Sequence, residues 1–121
     1  MPIQRAITAF KTERLNCVQS VLRAFQQQMG VSEYAVEQAR QLGGGRAEEG
    51  RCGALHAALR LIEDEKTRNR VHGAFVARTG SEKCREIRKR KALTCVQCVE
   101  LAAALLMDYH EGTNKSEQEC L

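Results

Sequence analysis

Apolar residues recur every three or four positions along most of this chain, which is the spacing of one face of an α-helix. The clearest stretch carries Leu15, Val18, Leu22 and Phe25. No segment alternates apolar and polar residues over the length of a β-strand, and the only proline is Pro2. The sequence therefore predicts an all-α fold, a compact single-domain bundle of five to six helices.

Glycines and capping residues divide this pattern into separate helices. The first predicted helix covers about residues 12–29 and ends at Gly30. Ser32 is the N-cap candidate of the second, which covers about residues 33–42 and stops at three consecutive glycines, 43–45. The last helix is predicted over about residues 93–109.

A chain of 121 residues fits one domain. We assign residues 1–110 to that domain and expect the polar tail, residues 111–121, to be flexible. A domain of this size buries roughly two-thirds of the surface that its unfolded chain exposes, so it does not need disulfides to fold. The six cysteines therefore require another explanation.

Composition narrows the setting in which the protein works. The first residues lack the continuous apolar segment of a secretory signal, and no apolar run approaches the ~20 residues of a membrane-spanning helix. We expect a cytoplasmic protein without membrane insertion. The net charge of +4 comes from interleaved basic and acidic residues, and only 4% of the residues are aromatic, so we expect no nucleic-acid partner.

Two cysteines fall at predicted helix N-termini. Cys52 lies in the first turn of a helix that carries Leu55 and Leu59, and Cys84 lies in the first turn of a short helix capped by Ser81. The backbone N–H groups of a helix N-terminus stabilise negative charge and lower the pKa of a thiol. Since the thiolate is both the nucleophile and the metal ligand, this placement favours disulfide exchange or metal binding.

Cys95 and Cys98 form a C-x-x-C element, and at helical spacing their sulfurs share a face. A zinc finger or ribbon would need a second such pair or two spaced histidines, which the sequence lacks. Thioredoxin-like chemistry would need a preceding β-strand, which the helical pattern argues against. Buried cysteines also serve as small apolar residues, so structural packing stays an alternative for each of them.

Three further features have simpler explanations than a function. The glycine-rich loop 43–50 lacks the G-K-[ST] of a phosphate-binding loop, so we interpret it as a helix terminator before Cys52. The basic run 83–91 is interrupted by Glu86 and is interpreted as a solvated helix face. His56 follows Cys52 by four positions, a separation that lets its ring approach the cysteine or a bound metal, but a bystander role is the simpler interpretation.

Four segments together form a known pattern. They are Asn16-Cys17-Val18-Gln19, then Gly43-Gly44-Gly45 leading to Cys52-Gly53-Ala54, then Gly80-Ser81-Glu82-Lys83-Cys84, then Cys95-Val96-Gln97-Cys98. Their order and spacing, over about residues 15–106, resemble the C_GCAxxG_C_C family, whose members are proposed to be redox-active. The resemblance implies a small cytoplasmic bacterial or archaeal protein. It also implies a site of four cysteines, Cys17, Cys52, Cys84 and Cys95, with Cys98 and Cys120 as extras.

Three functions are open at this stage. The first is thiol–disulfide exchange or electron transfer through the four cysteines, together with a redox partner protein. The second is a binding module that holds an iron-sulfur cluster or zinc on the same cysteines, with Cys98 and His56 as auxiliaries, because four thiolates are the usual complement of one cluster. The third is a helical interaction protein in which the cysteines only pack.

Overall fold

The computed structural model describes residues 2–42, 50–90 and 93–119, of which residues 110–119 are described by their backbone alone. The described residues are mostly helical and form no β-strand, which confirms the all-α fold. They form eight α-helices and one 3-10 turn, so the prediction of five to six helices was wrong. The elements are α1 (Pro2–Thr12), α2 (Cys17–Ala24), α3 (Gln26–Met29), α4 (Glu33–Gln38), the 3-10 turn Ala39–Leu42, α5 (Gly53–Arg60), α6 (Glu65–Thr79), α7 (Cys84–Arg90) and α8 (Cys95–Glu119).

The helix predicted over residues 12–29 accounts for part of the difference. Helix α1, which the sequence analysis did not predict, ends at Thr12, and the chain then turns at Arg14 with φ 57. A helix end of this kind usually carries glycine, so an arginine there hides the boundary in the sequence. Phe25 separates α2 from α3, because its N–H bonds to the carbonyl of Leu22, three residues back, at 3.2 Å.

Several boundary signals are where the sequence placed them. Ser32 caps α4 by accepting a hydrogen bond from the N–H of Ala35 at 3.0 Å. Gly30 and Gly80 end α3 and α6 in the left-handed conformation, with φ of 65 and 85. The glycines 43–45 lie outside the described residues.

Two helices begin with reciprocal capping boxes, each built from a cap residue and a glutamine three positions later. At α2 the Asn16 side chain accepts from the N–H of Gln19 at 2.8 Å, and the Gln19 side chain accepts from the N–H of Asn16 at 3.2 Å. At α8 Thr94 and Gln97 make the same exchange at 3.2 and 2.8 Å. Helix α8 continues to Glu119, beyond the predicted end near residue 109.

The core lies between α2, α5 and α8, which pack against one another, while α1 covers α2 and α8. Alanines at the contacts, among them Ala54, Ala58 and Ala102, are fully buried and let these helices approach closely. Larger side chains fill the remaining space, including Val18, Val21, Phe25, Leu55, Phe75 and Leu106, each 0–1% exposed. This packing brings the first residues of α2, α5 and α8 to one place.

A short backbone contact also brings the start of α7 close to the starts of the other three helices. Arg51 and Lys83 form an isolated antiparallel bridge, and the N–H of Cys52 donates to the carbonyl of Glu82 at 2.7 Å. The Glu82 carboxylate in turn pairs with the His72 ring of α6. The residues before α5 and α7 are therefore held together, and Cys52 and Cys84 become neighbours.

Among the helices of the described chain, none alone has the length and apolar composition to cross a membrane. Helix α7 and the first part of α8 meet that test only as a pair bent by 119°.

We predict that Asn16→Ala destabilises the protein by about 2 kcal/mol, because it removes a helix cap and further hydrogen bonds. Besides capping α2, the Asn16 amide donates to the carbonyls of Ala39 and Arg40, both at 3.1 Å. The free energy of unfolding in urea measures the loss. Ser32→Ala is the matched control, since it removes a cap alone and should lose about 1 kcal/mol. Equal losses in the two variants would show that the contacts to Ala39 and Arg40 contribute nothing.

Candidate functional site

All five cysteines of the described residues are free thiols. They line one small cavity of about 20 Å³ between the starts of α2, α5, α7 and α8. The structure thus brings together the four cysteines that the sequence analysis selected, and it adds a fifth from the first turn of α8. The lining is Cys17, Cys52, Cys84, Cys95 and Cys98, with Gly53, Ile87, Arg88 and Leu93. Cys120 lies outside the described residues.

The four selected cysteines each stand at the beginning of a helix. Cys17, Cys84 and Cys95 are the first residues of α2, α7 and α8, and Cys52 is the N-cap residue of α5. The sequence analysis expected this position only for Cys52 and Cys84. For Cys17 and Cys95 the sequence signals of a helix start were the capping boxes just described, because the cap residue of each box immediately precedes the cysteine. Four positive helix ends therefore face the sulfurs.

Gly53 permits the approach of α5 to α2. A Cβ atom at this position would lie 2.9 Å from Cγ2 of Val18 and 3.1 Å from Cβ of Cys17. Real Cβ atoms essentially never make contacts below 3.0 Å, so only glycine fits without displacement of a neighbour. The glycine after Cys52 therefore sets how close Cys52 and Cys17 can come.

Cys52 carries the sulfur that ionises most readily. Its pKa is lowered to about 7, chiefly because the Cys98 thiol donates a hydrogen bond to its sulfur. The backbone N–H groups of Leu55 and Ala54, in the first turn of α5, and the positive charge of Arg88 act in the same direction. Burial opposes them, since Cys52 is only 4% exposed. The donors and the positive charge outweigh desolvation here, so the pKa of Cys52 lies below that of an ordinary thiol.

Cys98 and Cys17 are the proton donors of the cluster. The pKa of Cys98 is raised well above its usual range, first because its proton is shared with Cys52 and second because it is buried. The pKa of Cys17 is also strongly raised, first by burial and then by the neighbouring sulfurs of Cys52, Cys95 and Cys84. Both thiols therefore resist ionisation more strongly than an ordinary cysteine.

Arg88 and Cys84 lie at the outer side of the cavity. The exposed Arg88 guanidinium donates to Sγ of Cys95 at 3.7 Å, and this bond raises the pKa of Arg88. The pKa of the Cys84 thiol is raised, mainly by burial, against the opposing charge of Arg88. Cys17, Cys84 and Cys95 are partly exposed, whereas Cys52 and Cys98 are 4% and 3% exposed. The cluster thus has an inner and an outer side.

The structure shows where His56 and the basic run lie relative to the cavity. The His56 side chain does not line the cavity, although its helix begins at the cavity. In the basic run, Lys83, Arg85, Lys89 and Arg90 are solvent-exposed, in line with a solvated helix face, and Lys91 lies outside the described residues. Among the described basic residues of this run, Arg88 is the one that lines the cavity.

Metal binding requires several ligands around one point. Among the residues that the structure describes, no group of three or more His, Cys, Asp or Glu side chains is placed to hold a metal ion. In this arrangement the donor set does not fit an iron-sulfur cluster or zinc.

Comparison with known proteins tests the family resemblance that the cysteine pattern suggested. Residues 15–109 match the family model described as "Putative redox-active protein (C_GCAxxG_C_C)". The family suggested by the cysteine pattern is therefore confirmed. Searches of curated proteins and of solved structures find no match to this chain.

We predict that Gly53→Ala destabilises the protein by about 1–3 kcal/mol, because the added methyl group forces α5 away from α2. Gly73→Ala is the matched control, since a Cβ there meets nothing within 4 Å. It lies inside α6 and should stabilise the protein by about 0.5–1 kcal/mol. Urea unfolding measures both values. If Gly53→Ala were as stable as the wild type, the close approach at Cys17 would not constrain the fold.

Proposed function

This chain belongs to the C_GCAxxG_C_C family, and we propose that it works by thiol–disulfide exchange with Cys52 as the attacking thiolate. One observation carries the proposal: Cys52, at the N-terminus of α5, lines one small cavity together with further thiols, among them Cys98. Exchange needs both a thiolate that attacks and a nearby thiol that completes the reaction. The cavity supplies the two together.

The first step is attack by the Cys52 thiolate on a sulfur of the partner's disulfide. The bond between the partner's sulfurs breaks, one of them leaves as a thiolate, and a mixed disulfide joins the other to Cys52. A thiol attacks best when its pKa is near the ambient pH, because it is then both ionised and strongly nucleophilic. The pKa of about 7 for Cys52 meets that condition.

The second step is attack on Sγ of Cys52 by another thiol of the cluster. It releases the second partner thiol and leaves a disulfide inside the protein. Counted from the dithiol, the protein has then lost two electrons and two protons, one proton from Cys52 when it ionised and one from the second thiol, and the partner's disulfide has taken them up as two thiols. In a reducing cytoplasm, where we expect the protein, the dithiol form is the resting state. The reverse sequence oxidises a partner dithiol.

The partner must reach a buried sulfur. The cavity of about 20 Å³ admits one water-sized group, so a sulfur on a narrow projecting segment can enter it, whereas a flat protein surface cannot. Arg88 and Cys84 flank the outer side. We therefore propose a redox partner protein whose disulfide lies on a protruding loop.

The two other functions have less support. A metal or cluster site on Cys17, Cys52, Cys84 and Cys95, with Cys98 and His56 as auxiliaries, would need at least three ligands around one point, and no such group is present among the described residues. Cysteines that only pack would be uncharged near neutral pH. The lowered pKa of Cys52 favours chemistry over packing.

We predict that glutathione redox buffers convert the reduced protein to a disulfide form, and that Cys52→Ser lowers the rate of oxidation by oxidised glutathione at least tenfold. The reason is that Cys52 supplies the reactive thiolate. Free thiols are counted at each ratio of reduced to oxidised glutathione. Cys120→Ser is the control and should react at the wild-type rate. If every thiol stayed free at all ratios, the proposed exchange would be wrong, and metal analysis with a visible spectrum after anaerobic purification would test the cluster instead.

We also predict that alkylation of Cys52 by iodoacetamide increases with pH around a midpoint near 7, because only the thiolate reacts. Mass spectrometry of the tryptic peptide 52–60 reports the modified fraction. Cys98→Ala removes the largest stabilising hydrogen bond and should move the midpoint up, toward about 8.5. Cys98→Ser keeps a hydroxyl donor and should shift it less. An unchanged midpoint in Cys98→Ala would mean that Cys98 does not set the ionisation of Cys52.

A further inference from the structure

We propose that a second pocket, beside the start of α5, binds a small organic oxyanion, a phosphate or carboxylate that also carries a hydroxyl group. This site goes beyond the proposed thiol–disulfide exchange and does not depend on it. The pocket is open to solvent, has a volume of about 430 Å³ and shares no lining residue with the cysteine cavity. Its lining is Arg51, Leu59, Glu65, Arg68, Asn69 and His72.

Arg51 supplies the less exposed of the two guanidinium groups in this pocket. Its side chain is partly buried, and its Nε–H group is buried without a hydrogen-bond partner in the described part of the chain. Buried donors in folded proteins are nearly always paired, so an unpaired one indicates a place for a ligand. A guanidinium suits an oxyanion, because its N–H donors lie in one plane and match the oxygens of a carboxylate or phosphate.

Arg68, on α6, adds a second guanidinium to the same pocket. None of the ion pairs found among the described residues involves Arg51 or Arg68. The Glu82 carboxylate is bonded to the His72 ring and to neither arginine. Two unpaired guanidiniums from different parts of the chain can therefore share the oxygens of one anion.

The other lining residues indicate what the ligand carries besides its charged group. Glu65, in the first turn of α6, is the carboxylate of the lining, so an anion lies toward the arginines and away from it. The oxygens of Glu65 and Asn69 accept hydrogen bonds, which a hydroxyl group of the ligand can donate. Leu59 provides an apolar surface, and the volume leaves room for a short carbon skeleton.

The pocket adjoins the backbone that positions Cys52. Arg51 immediately precedes Cys52 and forms the isolated bridge with Lys83, and the N–H of Cys52 donates to the carbonyl of Glu82. An oxyanion held by both Arg51 and Arg68 therefore fastens α6 to the segment that begins α5.

Isothermal titration calorimetry of the full-length protein tests the site, with glycerol 3-phosphate and malate as the two probes. All titrations are made at one ionic strength, so that screening of exposed charges is the same in each. Arg51→Gln and Arg68→Gln each remove one guanidinium. Arg70→Gln is the matched control, because Arg70 is an exposed arginine of the same helix that does not line the pocket.

We expect at least one probe to bind the wild type and Arg70→Gln with equal affinity, and to bind Arg51→Gln and Arg68→Gln at least tenfold more weakly. Tighter binding of glycerol 3-phosphate would identify the charged group as a phosphate, and tighter binding of malate would identify it as a carboxylate. Because Arg68 is exposed, Arg68→Gln tests the site even if Arg51→Gln does not fold.

Two results would overturn the proposal. One is the absence of saturable binding of either probe to the wild type at millimolar concentrations. The other is an affinity in Arg68→Gln equal to that in Arg70→Gln, which would show that any binding occurs outside this pocket. Neither result would bear on the exchange reaction, since no cysteine lines the pocket.

Discussion

Four helices turn their N-terminal ends toward one small cavity, and negative charge on sulfur is what makes this convergence favourable. Each N-terminus carries a partial positive charge of about half an elementary charge, so the ends of α2, α5, α7 and α8 repel one another across the cavity. A thiolate at the centre offsets that repulsion. Backbone N–H groups that have no partner within the helix act in the same direction. At Cys52 the N–H groups of Ala54 and Leu55 help to lower the pKa of the thiol.

The same space limits how many sulfurs can be charged at once. Five cysteines share a cavity of about 20 Å³, and like charges at such separations oppose ionisation. The proton distribution is therefore uneven: Cys52 is acidic, while Cys98 and Cys17 hold their protons firmly. Arg88, on α7, is the cation that adds to the helix ends. One acidic thiol among others that resist ionisation is the asymmetry on which the proposed exchange depends.

The sequence predicted those parts of the structure that depend on neighbours along the chain. The all-α fold, the caps at Ser32 and the ends at Gly30 and Gly80 follow from spacing and backbone preference. The break at Phe25 and the turn at Arg14 could not be predicted, because neither residue is a usual helix terminator. The capping boxes at Asn16 and Thr94 were present in the sequence and could have placed Cys17 and Cys95 at helix starts.

The candidate site was predictable as a set of residues but not as an arrangement. Spacing identifies which cysteines begin a helix, whereas only tertiary packing decides which helix starts meet. Cys98 shows the difference: by sequence it neighbours Cys95, three residues away, and in the fold it shares a cavity with cysteines of three other helices. Gly53 is a similar case, since its requirement for glycine comes from Val18 and Cys17 of another helix.

The separation of Cys52 and Cys98 along the chain has a mechanical consequence. A covalent bond between them would enclose α5, α6 and α7 in a loop of about 47 residues, which by chain entropy stabilises the folded state by roughly 4 kcal/mol. The dithiol form would be the less stable of the two. It would unfold locally more often and expose more of its backbone to proteases. The lifetime of the protein in the cell would then depend on its oxidation state, because proteases would degrade the reduced form sooner than the oxidised one.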